Sequence, residues 1–372
     1  MCLARFWRYV ARIHPAPASG SDPDGYLAAV LEVIRRRSID VLMPVHEQAY
    51  LFAAARHRLP PSLGVALADF AAFERVQSKT ALTTLLRALD VPQPATEIVH
   101  SIEDLTAERP VPFFIKAAYG TASAGVWRIG DAASQGALAR ELEKAQAFDA
   151  GVVVQQAVTG PLERSQAVFD HGRLVAFHVY RQISEGPGWG DVLKASVRRP
   201  EARALVRRIG GALAWHGALS FDHILDSRTN SPLFFDANPR LVEPMNAWLS
   251  GVDLAGALLD LSRGAAPPVQ PDGREGVVTR LGLMGLMDAA QRRGRPRDVL
   301  RELALLAFSA GRYRGAIEEL LPLATDPYGV APLAVVLGKL LWSPDSASDL
   351  SRQTIGSYSL TPDAIGRLKT WV

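Results

Sequence analysis

Hydrophobic and polar positions follow helical and strand-like patterns in turn along the first half of the chain. Residues 26–37 and 69–89 carry apolar side chains at helical spacing, which predicts amphipathic helices. The run 39–45 is almost continuously apolar, as is typical of a buried parallel strand. Shorter apolar runs predict strands at 112–118, 126–129 and 151–155. The pattern indicates a chain of the α/β or α+β class.

The second half of the pattern predicts strands first and helices afterwards. A hairpin is expected between 165–170 and 173–181, and strands at 218–225 and 232–237 flank a polar turn. Residues 267–276 are rich in proline, glycine and charge, which predicts a linker before a helical C-terminal region. Helices are predicted at 133–148, 200–216, 251–264, 281–290, 299–308, 316–323 and 331–342.

Composition favours a globular protein with more than one domain. The chain has 372 residues, 48% of them hydrophobic and 21% charged. Its net charge of +3 comes from scattered residues, which argues against a nucleic-acid partner. We expect no transmembrane helix and no secretory signal, because apolar runs are short and arginines interrupt the N-terminus. Cys2 is the only cysteine, which excludes an intrachain disulfide and fits a cytoplasmic location.

The stretch 111–129 combines a charge in an apolar strand with a loop of small residues. Lys116 lies in the predicted strand, and buried lysines rarely occur without an anionic partner. The loop 120–125 contains Gly, Thr, Ala and Ser, whose backbone N–H groups and hydroxyls suit phosphate oxygens. The segment is therefore a candidate triphosphate-binding site. The alternative is a glycine-containing hairpin whose lysine reaches the surface, and the isolated segment leaves both interpretations open.

A second polar group lies on the predicted strands within 217–241. Asp222 is on the first strand, and Asp236 and Asn238 are at the end of the second. Alternation puts Asp236 and Asn238 on one face, and strand pairing could bring Asp222 beside them. Two carboxylates and an amide oxygen form a site that Mg²⁺ prefers when phosphates complete its ligands. The alternative is a turn whose Asp and Asn side chains cap local backbone groups.

Taken in order, these segments resemble the ATP-grasp superfamily. Its members are mostly carboxylate–amine ligases, together with biotin-dependent carboxylases and carbamoyl-phosphate synthetases. The resemblance covers roughly residues 40–264 and depends on the order of strand, lysine, glycine loop, hinge, paired carboxylates and Asn-Pro-Arg. It implies two α+β lobes that clasp ATP, at 76–155 and 156–266. A partial Rossmann-like domain is expected before them at 1–75, and a linker with helices after them at 267–372.

The resemblance also implies which residues bind the nucleotide. Lys79 and Lys116 match two lysines that contact phosphates in the family, and Glu163 falls near its ribose-binding glutamate. The hinge that holds adenine usually reads Gln-Glu-Tyr-Val-x-Gly, whereas 155–160 read Gln-Gln-Ala-Val-Thr-Gly, so a glutamine replaces the usual acid. The nucleotide-binding residues expected on this basis are Lys79, Lys116, Gly120, Thr121, Ser123, Gly125, Gln155, Gln156, Val158 and Glu163.

Metal-binding and catalytic residues are implied in the same way. The family's metal motif is typically Glu-x-Asn-Pro-Arg, and here 236–240 read Asp-Ala-Asn-Pro-Arg. Mg²⁺, or alternatively Mn²⁺, is expected on Asp222, Asp236 and Asn238. The expected catalytic residues are Lys116 and Arg240, whose planar guanidinium would stabilise the transferred phosphoryl group.

Candidate contacts for the substrate carboxylate lie between the hinge and the metal motif. They are Arg181, Lys194 and Arg198. The alternatives are that these residues are surface charges or pair with Glu185, Asp191 or Glu201. The histidines His178, His216 and His223 are interpreted as structural rather than catalytic.

The resemblance implies an ATP- and Mg²⁺-dependent carboxylate–amine ligase. A substrate carboxylate would be activated as an acyl phosphate and an amine would displace the phosphate, so no nucleophilic side chain is required. Two alternatives stay open: a non-catalytic nucleotide-binding regulatory or assembly subunit, and an enzyme of the carboxylase or carbamoyl-phosphate type. The expected partners are a small-molecule carboxylate and an amine, without nucleic acid or membrane, and a homodimer is compatible with the resemblance.

Overall fold

The smaller of two β-sheets is built from the middle of the chain. The computed structural model describes residues 3–120, 124–320, 323, 325–350 and 359–372. The strands of this sheet are Thr96–Val99 (β1), Phe113–Ala117 (β2), Val126–Ile129 (β3) and Val152–Gln156 (β4). They are antiparallel and lie in the order β1-β4-β2-β3. Lys116 therefore lies on a central strand, between β3 and β4.

The larger sheet has seven strands. These are Leu162–Asp170 (β5), Arg173–Glu185 (β6), Asp191–Val197 (β7), Gly217–Leu225 (β8), Pro232–Asn238 (β9), Val278–Arg280 (β10) and Ile317–Glu318 (β11). Their order is β11-β10-β7-β6-β5-β8-β9. The pair β10–β11 is parallel and the other neighbours are antiparallel. The segment after residue 266 thus extends this sheet.

The helices connect and cover the sheets. They are Pro23–Arg37 (α1), Gln48–Ala54 (α2), Phe70–Gln77 (α3), Lys79–Ala88 (α4), Ile102–Thr106 (α5), Ala132–Lys144 (α6), Pro200–Ala212 (α7), Met245–Ser250 (α8), Leu254–Ser262 (α9), Gly282–Arg293 (α10), Pro296–Ala307 (α11) and Val330–Trp342 (α12), with a last described helix at Pro362–Lys369. None of the helices in the described ranges is long and apolar enough to cross a bilayer.

A single hydrophobic cluster joins the N-terminal helices to the larger sheet. Phe73 of α3 packs against Trp215 with ring centroids 5.0 Å apart, and both side chains are buried. Phe221 of β8 belongs to the same cluster. Because side chains alternate along a strand, burial of Phe221 on this face turns Asp222 to the other. Packing of the core therefore fixes the direction of a predicted metal ligand.

The N-terminal part contradicts the predicted parallel strand over 39–45. Val41 makes only an isolated parallel bridge with Gly64, and no strand forms there. The ends of the run, Ile39 and Val45, are exposed, so the apolar pattern does not mark a strand buried on both faces. The expected partial Rossmann-like domain is not confirmed.

Other predicted elements differ in their boundaries. The helix predicted over 69–89 is two helices, because Ser78 leaves the helical conformation and its hydroxyl accepts a hydrogen bond from the Ala81 N–H at 3.4 Å. Residues 251–264 begin with a turn, and α9 starts where Asp253 caps the Gly256 N–H at 2.7 Å. The helix predicted over 316–323 is wrong, since Ile317 and Glu318 pair with β10.

Candidate active site

Lys79 joins the two sheets at the start of α4. Its backbone N–H donates to the Ala118 carbonyl at 2.8 Å, which attaches the helix to the end of β2. Its Nζ donates to the Gly120 carbonyl at 3.0 Å and lies 3.5 Å from Asp236 Oδ1 on the larger sheet. The side chain is buried. The amino group is therefore held between the small-residue loop and a predicted metal ligand.

Lys116 reaches the same place from β2. Its Nζ donates to Gln155 Oε1 at 2.8 Å and to the Phe235 carbonyl at 3.1 Å. Burial lowers the pKa of Lys116 to about 8, with Lys79 adding to the effect, while the carboxylates of Asp236 and Asp222 oppose it. Burial thus destabilises the charged form of Lys116 more than the neighbouring carboxylates stabilise it.

The small-residue loop follows this lysine. Gly125 has φ +75°, a left-handed conformation in which a side chain would be strained. Its carbonyl accepts from the Ala117 N–H at 2.8 Å, which closes the loop onto β2. Gly120 and Gly125 lie at the two ends of the loop, whereas the predicted ligands Thr121 and Ser123 lie outside the described residues.

The predicted metal ligands lie on β9, at the edge of the larger sheet, and on its neighbour β8. Asp222 is directly opposite Asp236 in the register, and Asn238 is opposite Ser220. The pairing skips Phe235, and this bulge turns Asp236 to the face of Asp222. Opposed side chains in such a pair lie about 5 Å apart at Cβ, close enough for both to bind one cation. The sequence prediction that strand pairing brings these residues together agrees with this register.

Arg164 is a site residue that the sequence analysis missed. Its Nε lies 3.3 Å from Asp222 Oδ1, and its Nη1 donates to Asp191 Oδ1 at 2.6 Å. Burial and the charge of Asp236 raise the pKa of Asp222, and Arg164 opposes them. The predicted hairpin begins at residue 165, which leaves Arg164 outside the strand. Extending that strand by one residue would include Arg164, but only the β5–β8 pairing places it opposite Asp222.

Arg240 lies just beyond the metal motif. Its backbone N–H donates to the Asn238 carbonyl at 2.7 Å, and its carbonyl accepts from Ser220 Oγ at 2.7 Å. The side chain is half-buried, and Nε has no hydrogen-bond partner within the described part of the chain. Burial and the Arg240 charge lower the pKa of His46 to about 4. Arg240 therefore has a donor available for an anionic group.

Known proteins resemble the chain in structure rather than in sequence. No protein-family model matches the chain, and no curated protein matches its sequence. An L-amino acid ligase from Bacillus licheniformis matches with TM-score 0.54 and 17% identity, over 69% of this chain and 66% of its own. A biotin carboxylase–β,γ-ATP complex from Campylobacter jejuni matches with TM-score 0.58 and 16% identity, over 70% of this chain and 63% of its own.

A third structure comes from a larger enzyme. It is the biotin carboxylase domain of the Hydrogenobacter thermophilus 2-oxoglutarate carboxylase, in complex with MgADP, ADP and bicarbonate. It matches with TM-score 0.56 and 15% identity, over 68% of this chain and 61% of its own. The chain has the ATP-grasp fold. The fold implied by the resemblance is thereby confirmed. The chain spans about two thirds or less of the length of these ATP-grasp structures.

The hinge expected for an ATP-grasp protein begins with the last two residues of β4. Gln155 is buried and bridges Lys116 to Thr96, whose Oγ1 accepts from Gln155 Nε2 at 2.9 Å. The backbone N–H groups of Gln156 and Ala157 donate to the carbonyls of Ala95 and Pro112. These two N–H groups are therefore already used within the protein. Val158 lies next along the chain and is half-buried.

Glu163 and Arg181 contact each other instead of forming two separate ligand contacts. Glu163 has no exposed surface, and its carboxylate accepts hydrogen bonds from Arg181 Nε at 3.0 Å and Arg199 Nε at 2.7 Å. Burial would raise the pKa of Glu163, but His223, Arg199 and Arg181 together lower it to about 2. The expected ribose contact and the expected substrate contact are thus corrected to one ion-pair cluster around the buried Glu163 carboxylate.

Lys194 and Arg198 both bond to other groups of the protein. Lys194 is fully buried, with Nζ 2.7 Å from Glu243 Oε2 and 2.9 Å from Glu319 Oε2. Burial would lower the pKa of Lys194, but the charges of Glu243 and Glu319 raise it. Arg198 is exposed and its Nε lies 3.3 Å from the Gly273 carbonyl, outside the site. Neither residue is placed to hold a carboxylate beside the phosphates, because each is engaged elsewhere.

Glu163→Gln is expected to lower the free energy of unfolding by about 2 kcal/mol, because a neutral amide leaves both arginines without their counter-charge. The loss stays below that of a fully buried pair, since both arginines reach solvent. Urea unfolding measures this difference. With a folded pKa of about 2 against the usual 4.5, the wild-type advantage is complete above pH 4.5 and disappears as the pH falls towards 2. Glu201→Gln, on an exposed helix turn, serves as the control, and equal stability of wild type and Glu163→Gln would refute the assignment.

Proposed function

We propose that the chain is an ATP- and Mg²⁺-dependent ligase that activates a carboxylate as an acyl phosphate and joins it to an amine. The proposal depends above all on one observation: Lys79 and Lys116 meet the Asp222–Asp236 pair where the two sheets adjoin. The biotin carboxylase complexes with β,γ-ATP and with MgADP support the nucleotide and the metal, and the L-amino acid ligase supports the reaction class.

Phosphate oxygens are the anions that best fit the lysine pair. A lysine whose pKa falls to about 8 is destabilised in its charged form, and an anion beside it reverses that effect. Lys79 lies next to the small-residue loop through Gly120, so both amino groups and the loop would face the same phosphates. Buried cations and fixed backbone dipoles need no reorganisation when a phosphoryl group is transferred.

The residues on β8 and β9 fit a hard divalent cation. Asp222, Asp236 and Asn238 present only oxygen ligands for a metal, which suits Mg²⁺ or Mn²⁺. Burial and, to a lesser extent, the charge of Asp236 raise the pKa of Asp222, and a cation between the two carboxylates would offset both effects. When bound, Mg²⁺ supplies charge neutralisation for the phosphates.

The reaction requires positioning rather than a protein nucleophile. A carboxylate oxygen of the substrate bonds to the γ-phosphorus while the bond to the β,γ-bridging oxygen breaks, which releases ADP. The amine nitrogen then attacks the acyl carbon, and inorganic phosphate leaves with one oxygen that came from the carboxylate. Lys79 and Lys116 hold the phosphates, and the free Nε donor of Arg240 stabilises the transferred group.

The origin of that oxygen provides the test. With a pool of amino and hydroxy acids labelled with ¹⁸O in the carboxylate, together with amines, the released phosphate should carry one ¹⁸O per amide formed. Mass spectrometry of the phosphate measures this. Phosphate without label would show that water, not a carboxylate, receives the phosphoryl group, and would overturn the proposed chemistry.

A non-catalytic nucleotide-binding subunit is the second candidate. The observation in its favour is Arg164, which already pairs with Asp222 and competes with a metal for that carboxylate. This candidate predicts nucleotide binding without ADP formation. Arg164→Gln discriminates between the ligase and the non-catalytic subunit. If Arg164 blocks the metal, as the second candidate requires, the variant should bind Mg²⁺ more tightly than wild type.

Nucleotide affinity is expected to be constant below pH 8 and to weaken above it, by up to about tenfold per pH unit. The pKa of Lys116 is lowered to about 8, so above that pH the neutral amine must take up a proton when phosphate binds. Calorimetric titration with ATP between about pH 6.5 and about pH 9.5 measures the profile. Lys116→Arg stays charged throughout and should flatten it. A wild-type profile that is already flat would exclude Lys116 as a phosphate contact.

A further inference from the structure

Three metal-ligand side chains lie together at the far end of the larger sheet. Asp170 ends β5, His171 follows in the turn to β6, and His216 precedes β8. The turn is tied to the second segment by a hydrogen bond from the Gly172 N–H to the Trp215 carbonyl at 2.7 Å. Arg164 is six residues back along β5, so this group lies roughly 20 Å from the proposed nucleotide site.

The donor atoms of these residues have the spacing of a tetrahedral metal site. His171 Nδ1 lies 3.0 Å and His216 Nδ1 lies 3.8 Å from Asp170 Oδ1, and each of the three residues offers one ligand atom within 4.8 Å of those of the other two. Zinc bonds of about 2.0–2.1 Å at tetrahedral angles separate neighbouring ligand atoms by roughly 3.3–3.4 Å. The two distances from Asp170 Oδ1 bracket that value.

His216 has an unsatisfied nitrogen that points to the same conclusion. Its Nδ1 is buried and, within the described residues, has no hydrogen-bond partner. The distance of 3.8 Å to Asp170 is too long for a hydrogen bond. The hydrogen bond between Asp170 and His171 alone does not explain why His216 Nδ1 is buried without a partner among the described residues.

Neighbouring groups orient the three ligands, and a cavity leaves a fourth coordination position open. Arg173 Nη2 donates to Asp170 Oδ2 at 2.8 Å, which orients the carboxylate and leaves Oδ1 towards the imidazoles. The imidazole rings stack with centroids 4.0 Å apart, so one ring has to rotate before both nitrogen lone pairs point at the same ion. Both histidines also line a cavity of about 660 Å³ through which a water or another ligand can reach the ion.

We propose that Asp170 Oδ1, His171 Nδ1 and His216 Nδ1 bind one divalent transition-metal ion of the Zn²⁺ type, with the fourth position open to the cavity. Mixed nitrogen and oxygen ligands favour Zn²⁺ over Mg²⁺ or Ca²⁺. This ion is separate from the Mg²⁺ of the nucleotide site. The bound ion would cross-link the β5–β6 turn to the segment before β8.

Titration of the metal-stripped full chain with Zn²⁺ against a chromogenic chelator tests the proposal. We expect one Zn²⁺ per chain, and at least about a hundredfold weaker binding in His216→Ala and in His171→Ala, since even losing a supporting residue costs 10–100-fold. His57→Ala removes an exposed histidine outside the group and should bind like wild type. Co²⁺ should give the visible absorption of a four-coordinate site in wild type and in His57→Ala.

The exposed position of His171 makes its variant the decisive one, because its removal leaves the core intact. Thermal unfolding without metal should be unchanged in His171→Ala, while the Zn²⁺-induced rise in melting temperature seen for wild type should vanish. Absence of Zn²⁺ binding in wild type, or equal binding in His171→Ala, would overturn the proposed site. Neither result bears on the nucleotide site.

Discussion

Lys116→Ala is expected to reduce kcat/KM for ADP formation by roughly a hundredfold or more, the loss seen when one fixed donor to a developing charge is removed. Lys116 is buried on the central strand β2, and its Nζ lies 3.1 Å from the Phe235 carbonyl, next to the carboxylate of Asp236. No side chain beside it can replace the charge, because Lys79 is held by Gly120 and Asp236. Steady-state ADP release under saturating Mg²⁺ measures the effect.

The matched control is Lys144→Ala, which removes an exposed lysine from the last turn of α6 and should leave kcat/KM unchanged. Loss of stability is not the expected cause of inactivity. The charged form of Lys116 is costly to bury, so Lys116→Met should be at least as stable as wild type and yet equally inactive. Wild-type turnover in Lys116→Ala would remove this residue from the site.

Asp236→Ala is expected to lower kcat/KM by at least about a hundredfold and to raise the Mg²⁺ concentration needed for half-maximal activity. Asp236 faces Asp222 across the strand pair and lies 3.5 Å from Lys79 Nζ, so on the proposed function its carboxylate would contact both the metal and a phosphate-binding lysine. ADP release measured across a range of Mg²⁺ concentrations separates the metal effect from a general loss of turnover.

Asp149→Ala, which removes an exposed carboxylate, is the control for Asp236→Ala and should leave the Mg²⁺ dependence unchanged. Asp236→Glu is informative as well, because it restores the longer side chain of the family's usual motif and should keep activity. If Asp236→Ala retains the wild-type Mg²⁺ requirement, the metal is not held on β9.

The parts of the fold that could be predicted are those with local patterns. The β2–loop–β3 unit and the β8–β9 pair were predicted because apolar runs are interrupted by polar turns. Strand β7 was missed because Asp191, Lys194 and Ser196 make it look like a loop, although all three are buried. Their polar groups are satisfied by residues far along the chain, such as Glu243 and Glu319 for Lys194, which no local pattern reveals.

The same distinction separates the site residues. Lys116 and Asp236 could be predicted because each belongs to a short motif, although their proximity depends on how the two sheets meet. Glu163 and Arg181 were expected in different roles, yet they lie opposite each other in the β5–β6 register and form an ion pair. Arg164 could be identified only from its neighbours across the sheet, because its importance comes from contacts with Asp191 and Asp222.

The central claim is that the lysines and carboxylates at the junction of the two sheets transfer the γ-phosphoryl group of ATP to a carboxylate. The most direct measurement is ADP release from ATP by the purified chain, with pooled amino and hydroxy acids and with and without amines, in the presence or absence of Mg²⁺. The account predicts release that requires both Mg²⁺ and a carboxylate and that disappears in Lys116→Ala. Release that persists in Lys116→Ala, or ATP that neither binds nor reacts, would contradict it.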